Sequence, residues 1–390
     1  MKKQNDILYL DNSATTQVSS EVFEAMKPYY TSKYFNPDSL YYQAREVRIE
    51  VEKVRSLIAD TINADPDEIY FTSGGSESNT WAMSAFHDMG VKEILITPIE
   101  HHSLTYAAEH YIPQVFYTKL EENNLDPNNH ISTGRVDVDE LDFLLKRMEI
   151  SAASIMTANN EIGTIQSIPL IAGMLEEYNI PLHTDAVQAF MHIPIDVETM
   201  GVTMLSASAH KIGGPKGVGF LYIKHGTKAN PLIFGGQQEQ GVRGGTTNVP
   251  AIIGFGKAIE MVHKNKNKLL TKNKFGDILE KSLLDAHGLD MMFTGSIVHR
   301  LPNHISMCFR DISGQQLVSM LAEKGILCST GSACNSGNPK PSFVLEAINI
   351  PEQFINGALR ISYTDKCTEK DAVYVANAIE DCVNILRSQG

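Results

Sequence analysis

Three short segments carry residue types whose order suits covalent chemistry. The first, Phe71-Thr-Ser-Gly-Gly-Ser-Glu-Ser78, is a short β-rich run that ends in two glycines and a hydroxyl residue before a helical pattern. Backbone N–H groups at such a helix start, with Ser76, suit a phosphate held at the positive end of the helix dipole. An ordinary turn with an N-cap has the same composition. The second segment, His183-Thr-Asp-Ala-Val-Gln188, puts a carboxylate and an amide after an apolar run that reads as a buried strand. Ligands of open α/β sheets bind at that carboxyl edge. The third, Ser206-Ala-Ser-Ala-His-Lys-Ile-Gly-Gly-Pro-Lys216, sets Lys211 among small residues beside His210, near another strand end. A lysine so placed can form a Schiff base with a carbonyl, and a nearby carboxylate can hold a pyridinium proton. Those are the two requirements of a pyridoxal-phosphate site. A surface lysine and a helix-capping Asp185 give the same letters.

A fourth candidate is Cys334, in Gly331-Ser-Ala-Cys-Asn-Ser-Gly-Asn-Pro-Lys-Pro-Ser342. Glycine, serine, asparagine and two prolines there predict an exposed loop, and an exposed thiol can ionise and attack where a buried one cannot. Cys308, Cys367 and Cys382 read as core residues; Cys328, in the apolar run Ile326–Ser329 six positions before Cys334, reads as core or as a resolving thiol.

The elements that position these segments alternate. Ile69–Thr72, Glu93–Thr97, Val115–Tyr117, Ser154–Thr157, Pro181–Thr184 and Gly217–Ile223 read as strands, with helical spacing between them, as in Ile168–Tyr178. Strand and helix in alternation imply a mainly parallel sheet covered on both faces. Phe234–Thr247, FGGQQEQGVRGGTT, is too glycine-rich and polar for a regular element and reads as an ordered loop. A long helical pattern follows from Val249 to Leu284, then strand-like His304–Phe309, a helix near Gln315–Lys324, strand-like Ile326–Ser329 and a last helix that Thr368 and Asp371 start as a capping box. The division expected is a large α/β domain over residues 15–250 and a smaller α+β domain over 251–390, joined by residues 1–14.

Composition narrows the class further. At 390 residues and 43% hydrophobic, the chain can bury a large core or two connected ones. With 33 basic against 46 acidic residues, the formal charge of -13 disfavours a general nucleic-acid or anionic-membrane surface. Five cysteines without a CxxC pair suggest neither disulfides nor a zinc site, and no metal is expected. Reduced thiols, no stretch of about 20 apolar residues and no signal peptide lead to the expectation of a cytoplasmic protein.

Taken together, LDNSATT (10–16), FNPDS (35–39), FTSGGSES (71–78), EHHS (100–103), NNEIG (159–163), HTDAVQ (183–188), SAHKIGGPKG (208–217), RGGTTN (243–248) and STGSACNS (329–336) resemble the NifS/IscS-type cysteine desulfurases of the class V aminotransferase group. The resemblance runs from about residue 8 to about residue 385. It implies a fold-type I pyridoxal-phosphate enzyme that converts L-cysteine to L-alanine and leaves the sulfur on Cys334 as a persulfide. A sulfur-acceptor or scaffold protein would then take it for iron–sulfur clusters or other sulfur-containing cofactors. By the same resemblance Lys211 carries the cofactor, Asp185 pairs with the pyridine nitrogen, Gln188 contacts the ring oxygen and His101 stacks on the ring and assists proton transfer. His102 has no role. Gly75, Ser76, Ser208 and His210 would hold the phosphate, with Thr246 supplied by the other subunit of a homodimer. Asn160 and Arg360 would grip the substrate carboxylate, Arg360 through two parallel hydrogen bonds.

Two positions depart from the family pattern: many relatives read GGGQERG and RSGT where this chain has Gln240 and Gly244. A class V transaminase or a selenocysteine lyase would share Lys211, Asp185 and the phosphate cup, but a transaminase needs no nucleophile at Cys334. A sulfur-carrier protein that had lost its cofactor would lack Lys211 or Asp185, and both are present.

Overall fold

The computed structural model describes residues 7–122, 131–264, 274–286, 288–331 and 341–389. In chain order its strands are β1 (Leu8–Tyr9), β2 (Ile69–Thr72), β3 (Glu93–Ile96), β4 (Gln114–Tyr117), β5 (Leu120–Glu122), β6 (Ser132–Val136), β7 (Ala152–Ser154), β8 (Leu182–Asp185), β9 (Met204–Ser208), β10 (Gly219–Ile223), β11 (Met291–Phe293), β12 (His304–Phe309), β13 (Ile326–Leu327) and β14 (Ala358–Ser362). A seven-stranded sheet has the order β2-β10-β9-β8-β7-β3-β4, with only β10 antiparallel to its neighbours.

Both faces of that sheet are buried, so successive residues enter different cores. Leu205, Ala207, Phe220 and Tyr222 pack on one side, Met204, Leu221 and Ile223 on the other. Phe190, Phe220 and Phe255 meet with ring centroids 5.2 to 6.1 Å apart. Truncating one of them would cost about 3–5 kcal/mol. Helix 42–62 covers this core through Val47, Val51, Val54, Ile58 and Ile62, a spacing that keeps one stripe inward, and ends on Asn63 in the left-handed conformation.

A second core surrounds the antiparallel sheet β11-β12-β14 and helices 274–285, 314–323 and 369–389. The N-terminal strand joins it: β1 pairs in parallel with β13, and Leu10 is buried there. Residue 250 falls inside a continuous helix, Val249–Lys264, whose Ile252, Phe255 and Ile259 pack in the large-sheet core. The seam between the two parts holds Ile99, Met156 and Ile162 against Cys308, Val344, Leu345 and Ala358.

Most expected elements occur, with shifted ends. The strand expected over 154–157 is Ala152–Ser154, and Ile155 and Met156 continue as buried irregular chain. The helical pattern expected from 249 to 284 is described as helices Val249–Lys264 and Lys274–Asp285. Thr368 and Asp371 do form the expected capping box: the Thr368 N–H donates to Asp371 Oδ2 at 2.8 Å and the Asp371 N–H to Thr368 Oγ1 at 3.3 Å. Among the described residues no helix is long and apolar enough to cross a membrane.

Candidate active site

The carboxyl ends of β2, β8 and β9 open onto a cavity of about 320 Å³. Gly75, Ser76, His101, Asn160, Asp185, Gln188, Ser208, His210, Lys211 and Arg360 all line it, so ten of the twelve residues singled out from sequence converge. Thr246 does not line it and is exposed. Cys334 lies outside the described residues, but Gly331, three positions earlier, is part of the wall.

The phosphate-type cup begins where β2 ends. Gly74 has φ +148°, and helix 75–88 starts at once behind it. A Cβ on Gly75 would fall 2.6 Å from Val187 Cγ2, so only glycine lets this turn approach the loop after β8. The first N–H groups of a helix have no partner within it, and they make an anion site at its N-terminus. Ser76, Ser208 and His210 border it. Burial, with the charges of Lys211 and Lys216, pushes His210 down to about 4, so at neutral pH it serves as a neutral hydrogen-bonding group.

Asp185 ends β8 and is buried. Its Oδ1 accepts from the Val187 N–H at 2.9 Å and its Oδ2 from Asn79 Nδ2 at 2.8 Å. Asn79 continues the chain: its second amide hydrogen reaches Ser103 Oγ at 3.0 Å, and Ser103 Oγ lies 2.8 Å from His101 Nδ1. The Ser103 backbone N–H also donates to Nδ1, at 3.1 Å. An Nδ1 that accepts from a backbone N–H carries no proton, so neutral His101 holds its proton on Nε2. Burial lowers the His101 pKa, Asp185 opposes the shift, and Lys211 and His102 add to it. His102 stacks instead on Tyr106, with centroids 5.1 Å apart.

Asn79 and Ser103 were not among the residues singled out from sequence. Ser103 closes the EHHS motif, and Asn79 follows the FTSGGSES run by one residue, one helical turn from Gly75.

Lys211 follows β9 in a short 3-10 turn, and its Nζ donates to the carbonyls of Ser13 at 2.5 Å and Ala14 at 2.9 Å. Gln188 Nε2 donates to the same Ser13 carbonyl at 2.8 Å. Thr16 fastens this N-terminal segment by donating from Oγ1 to the His210 carbonyl at 2.7 Å and accepting from the Gly213 N–H at 2.7 Å. The LDNSATT motif thus positions the lysine.

Arg360 comes from the other sheet, on β14. Its Nη2 pairs with Asp11 Oδ1 at 2.6 Å, and its Nη1 donates to the carbonyls of Asn160 at 3.0 Å and Gly331 at 3.4 Å. Asp11 is absent from the cavity wall, so it holds the guanidinium from behind.

Beneath His101, Glu100 is fully buried, with Oε1 accepting from the Thr97 hydroxyl at 2.7 Å and the Met156 N–H at 2.8 Å. Burial first, and then the charge of Asp185, raise this carboxyl to about 8 against the two hydrogen bonds. Cys308, Cys328, Cys367 and Cys382 are all buried, and burial pushes Cys308 and Cys328 up to about 12. None of the four is an available nucleophile near neutral pH.

The two departures from the family pattern lie in the 234–247 loop. A Cβ on Gly244 would fall 2.5 Å from the Gly235 Cα, so here two backbone runs touch where relatives carry serine. Gln240 takes φ +59° and donates to the Asp67 carbonyl at 3.2 Å. The loop is clasped to the core by the buried Arg55–Glu239 pair at 2.8 Å and by Arg243, which forks onto Glu77 in the first turn of helix 75–88.

Fold and site define an α/β enzyme in which a lysine and a carboxylate from neighbouring strand ends face one ring-sized cavity. The chain belongs to the aminotransferase class-V family, whose pattern it matches over residues 8–375. It is 40% identical over 390 residues to the cysteine desulfurase IscS of Dictyoglomus turgidum, covering 98% of this chain and 95% of that one. Among solved structures, a NifS-like protein superposes with a TM-score of 0.86 at 32% identity, covering 97% of this chain and 100% of the other. SspA in complex with cysteine superposes with a TM-score of 0.77 at 30% identity, covering 92% and 99%.

Proposed function

We propose that the chain is a pyridoxal-phosphate-dependent cysteine desulfurase. The observation that carries this reading is the convergence of Lys211, Asp185, His101 and Arg360 on one cavity whose wall includes Gly331, just before the Cys334 segment. The residues present fit the cofactor. Gly75 and Ser76 line the cavity at the N-terminus of helix 75–88, where unpaired N–H groups suit a phosphate, and Asp185, held by two donors, borders the same cavity as an acceptor for a ring N–H. In this reading Lys211 would hold the cofactor, Asp185 its ring nitrogen, Gln188 its ring oxygen and His101 its ring face, with Gly75, Ser76, Ser208 and His210 around its phosphate. When bound, the cofactor supplies a conjugated ring that stores the electron pair released at the substrate carbon.

The side chains then divide the remaining work. Arg360, held by Asp11 and the Asn160 carbonyl, receives the carboxylate of L-cysteine and fixes its orientation. Lys211 Nζ moves the proton at the substrate α-carbon. The Cys334 thiolate attacks the substrate sulfur. The C–S bond of L-cysteine breaks, an S–S bond to Cys334 forms, and the thiol proton with the released electron pair becomes a C–H bond of L-alanine. The persulfide passes to an acceptor or scaffold protein of cytoplasmic iron–sulfur or sulfur-cofactor synthesis. The reading includes a homodimer: Thr246 is exposed on the clasped 234–247 loop and free to serve a second copy's cavity. It also keeps a two-part chain, with the boundary moved beyond helix 249–264.

Mass spectrometry of the purified yellow protein after L-cysteine, with alanine measured in the same sample, tests this. One added sulfur on the Cys334 peptide together with alanine is expected. Cys334→Ala should keep the cofactor absorbance and lose alanine formation. Normal desulfuration by that variant would overturn the assignment of the nucleophile.

A further inference from the structure

Glu161 has no part in the reaction as derived, yet it is a buried carboxylate at the junction of three working segments. The tight turn at Asn159 fixes its backbone: Asn159 Oδ1 accepts from the Glu161 N–H at 2.8 Å and the Ile162 N–H at 2.9 Å, while Asn159 Nδ2 donates to the Ile99 carbonyl at 2.8 Å. Its side chain leaves the cavity wall, where Asn160 sits, and runs between Gly331 and Ser342, on the two sides of the Cys334 segment. On one flank, Glu161 Oε2 accepts from the Ser342 hydroxyl at 2.6 Å. On the other, Gly331 packs so closely that a Cβ there would fall 3.1 Å from the same Oε2, and its φ of +93° admits glycine readily and other residues poorly.

The hydroxyl of Ser342 is fully used. It accepts from the Val344 N–H at 3.2 Å and the Leu345 N–H at 3.3 Å as the N-cap of helix 343–347, so its single hydrogen is left to donate. An acceptor-only carboxylate fixes that hydrogen on Glu161. The Gly331 carbonyl in turn accepts from Arg360 Nη1, and the Gly331 N–H donates to Ser329 Oγ at 3.1 Å. Burial raises the Glu161 pKa, while the Ser342 hydrogen bond and the Arg360 charge lower it.

We propose that Glu161 is a positioning residue that anchors the Ser342 flank of the Cys334 segment by a hydrogen bond and packs against the Gly331 flank, which Ser329 and the substrate-gripping Arg360 hold. Chain closure at fixed points restricts the volume a thiol explores and raises its effective concentration at the substrate sulfur. Misplacement of a reacting group by about 1 Å can cost on the order of 100-fold. The inference rests on the desulfurase reading.

The test uses the cofactor-loaded full-length protein. Single-turnover sulfur transfer to Cys334 is followed by quenched-flow mass spectrometry, and the cofactor absorbance change on adding L-cysteine is recorded in parallel. For Glu161→Ala, sulfur transfer should slow about 10–100-fold while the absorbance response stays within about twofold. Ser342→Ala should slow transfer similarly, and the double variant should add little, because both changes open one anchor. Glu161→Gln keeps a carbonyl acceptor for Ser342 and should recover most of the rate, which carries the test if the alanine variant does not fold. Transfer within twofold of wild type in Glu161→Ala and Ser342→Ala would overturn the anchor, as would an absorbance response that falls in step with transfer. If the wild-type protein itself gave neither persulfide nor alanine, the desulfurase reading would fall instead, and with it the basis of the inference.

Discussion

The two ends of the cavity are built by opposite means. At the Asp185 end, strand ends of a single sheet bring groups together over short distances, and a directional chain of hydrogen bonds runs from Asp185 through Asn79 and Ser103 to His101. At the Arg360 end, the guanidinium comes from the second sheet, Asp11 from the N-terminal segment and the Asn160 carbonyl from the seam. The first end owes its geometry to local chain direction, the second to packing between parts far apart in sequence. Electronic control of a bound ring suits the first arrangement, because its groups do not need to move. Recognition of a carboxylate suits the second, because a guanidinium already oriented by an anion and carbonyls loses little entropy on binding.

That contrast predicts different kinetic signatures. Asp185→Asn replaces the acceptor that meets Asn79 and removes the charge, and it should lower kcat by about 100-fold or more with a displaced cofactor absorbance band. A variant with near-normal kcat would mean that the Asp185 end contributes little. Arg360→Lys keeps the charge but loses the planar fork, and it should reduce kcat/KM about 10–100-fold, mainly through KM. If Arg360→Lys lowered kcat with KM unchanged, the two ends would not divide the work as their construction suggests.

The same contrast explains what the sequence made legible. Asp185, Lys211 and Gly75 stand at strand ends among small residues, where one local pattern carries both the element and the chemistry. Asp11 and Arg360 pair across most of the chain, and no local pattern reports such a contact. Asn79 and Ser103 are an amide and a hydroxyl, chemically quiet types that become notable only when their hydrogens point along one chain. Helix 42–62 was legible in principle from its inward stripe Val47, Val51, Val54, Ile58, Ile62, but the strand alternation that suggested the fold begins after it. The sequence does not mark the end of β7 because residues 151–157 are almost uniformly buried, and a run without alternation does not show where pairing stops.

The Asp185 end also contains a tension that is measurable without turnover. Glu100 lies beneath His101 with its carboxyl raised to about 8, so the folded protein holds a proton there that the unfolded chain, with an ordinary glutamate near 4.5, releases at lower pH. A folded-state pKa above the unfolded one means that this contribution to stability is fully present below about 4.5 and is lost as pH rises through about 8. Glu100→Gln keeps an oxygen to accept from Thr97 and the Met156 N–H, and puts a neutral amide where the acid would ionise. Thermal unfolding should therefore give nearly equal midpoints for the two proteins at pH 5 and a midpoint higher by a few degrees for the variant at pH 8.5. Equal midpoints at both values would mean that Glu100 ionises in the folded state without cost, and that the Asp185 end is more open to water than its hydrogen-bond chain implies.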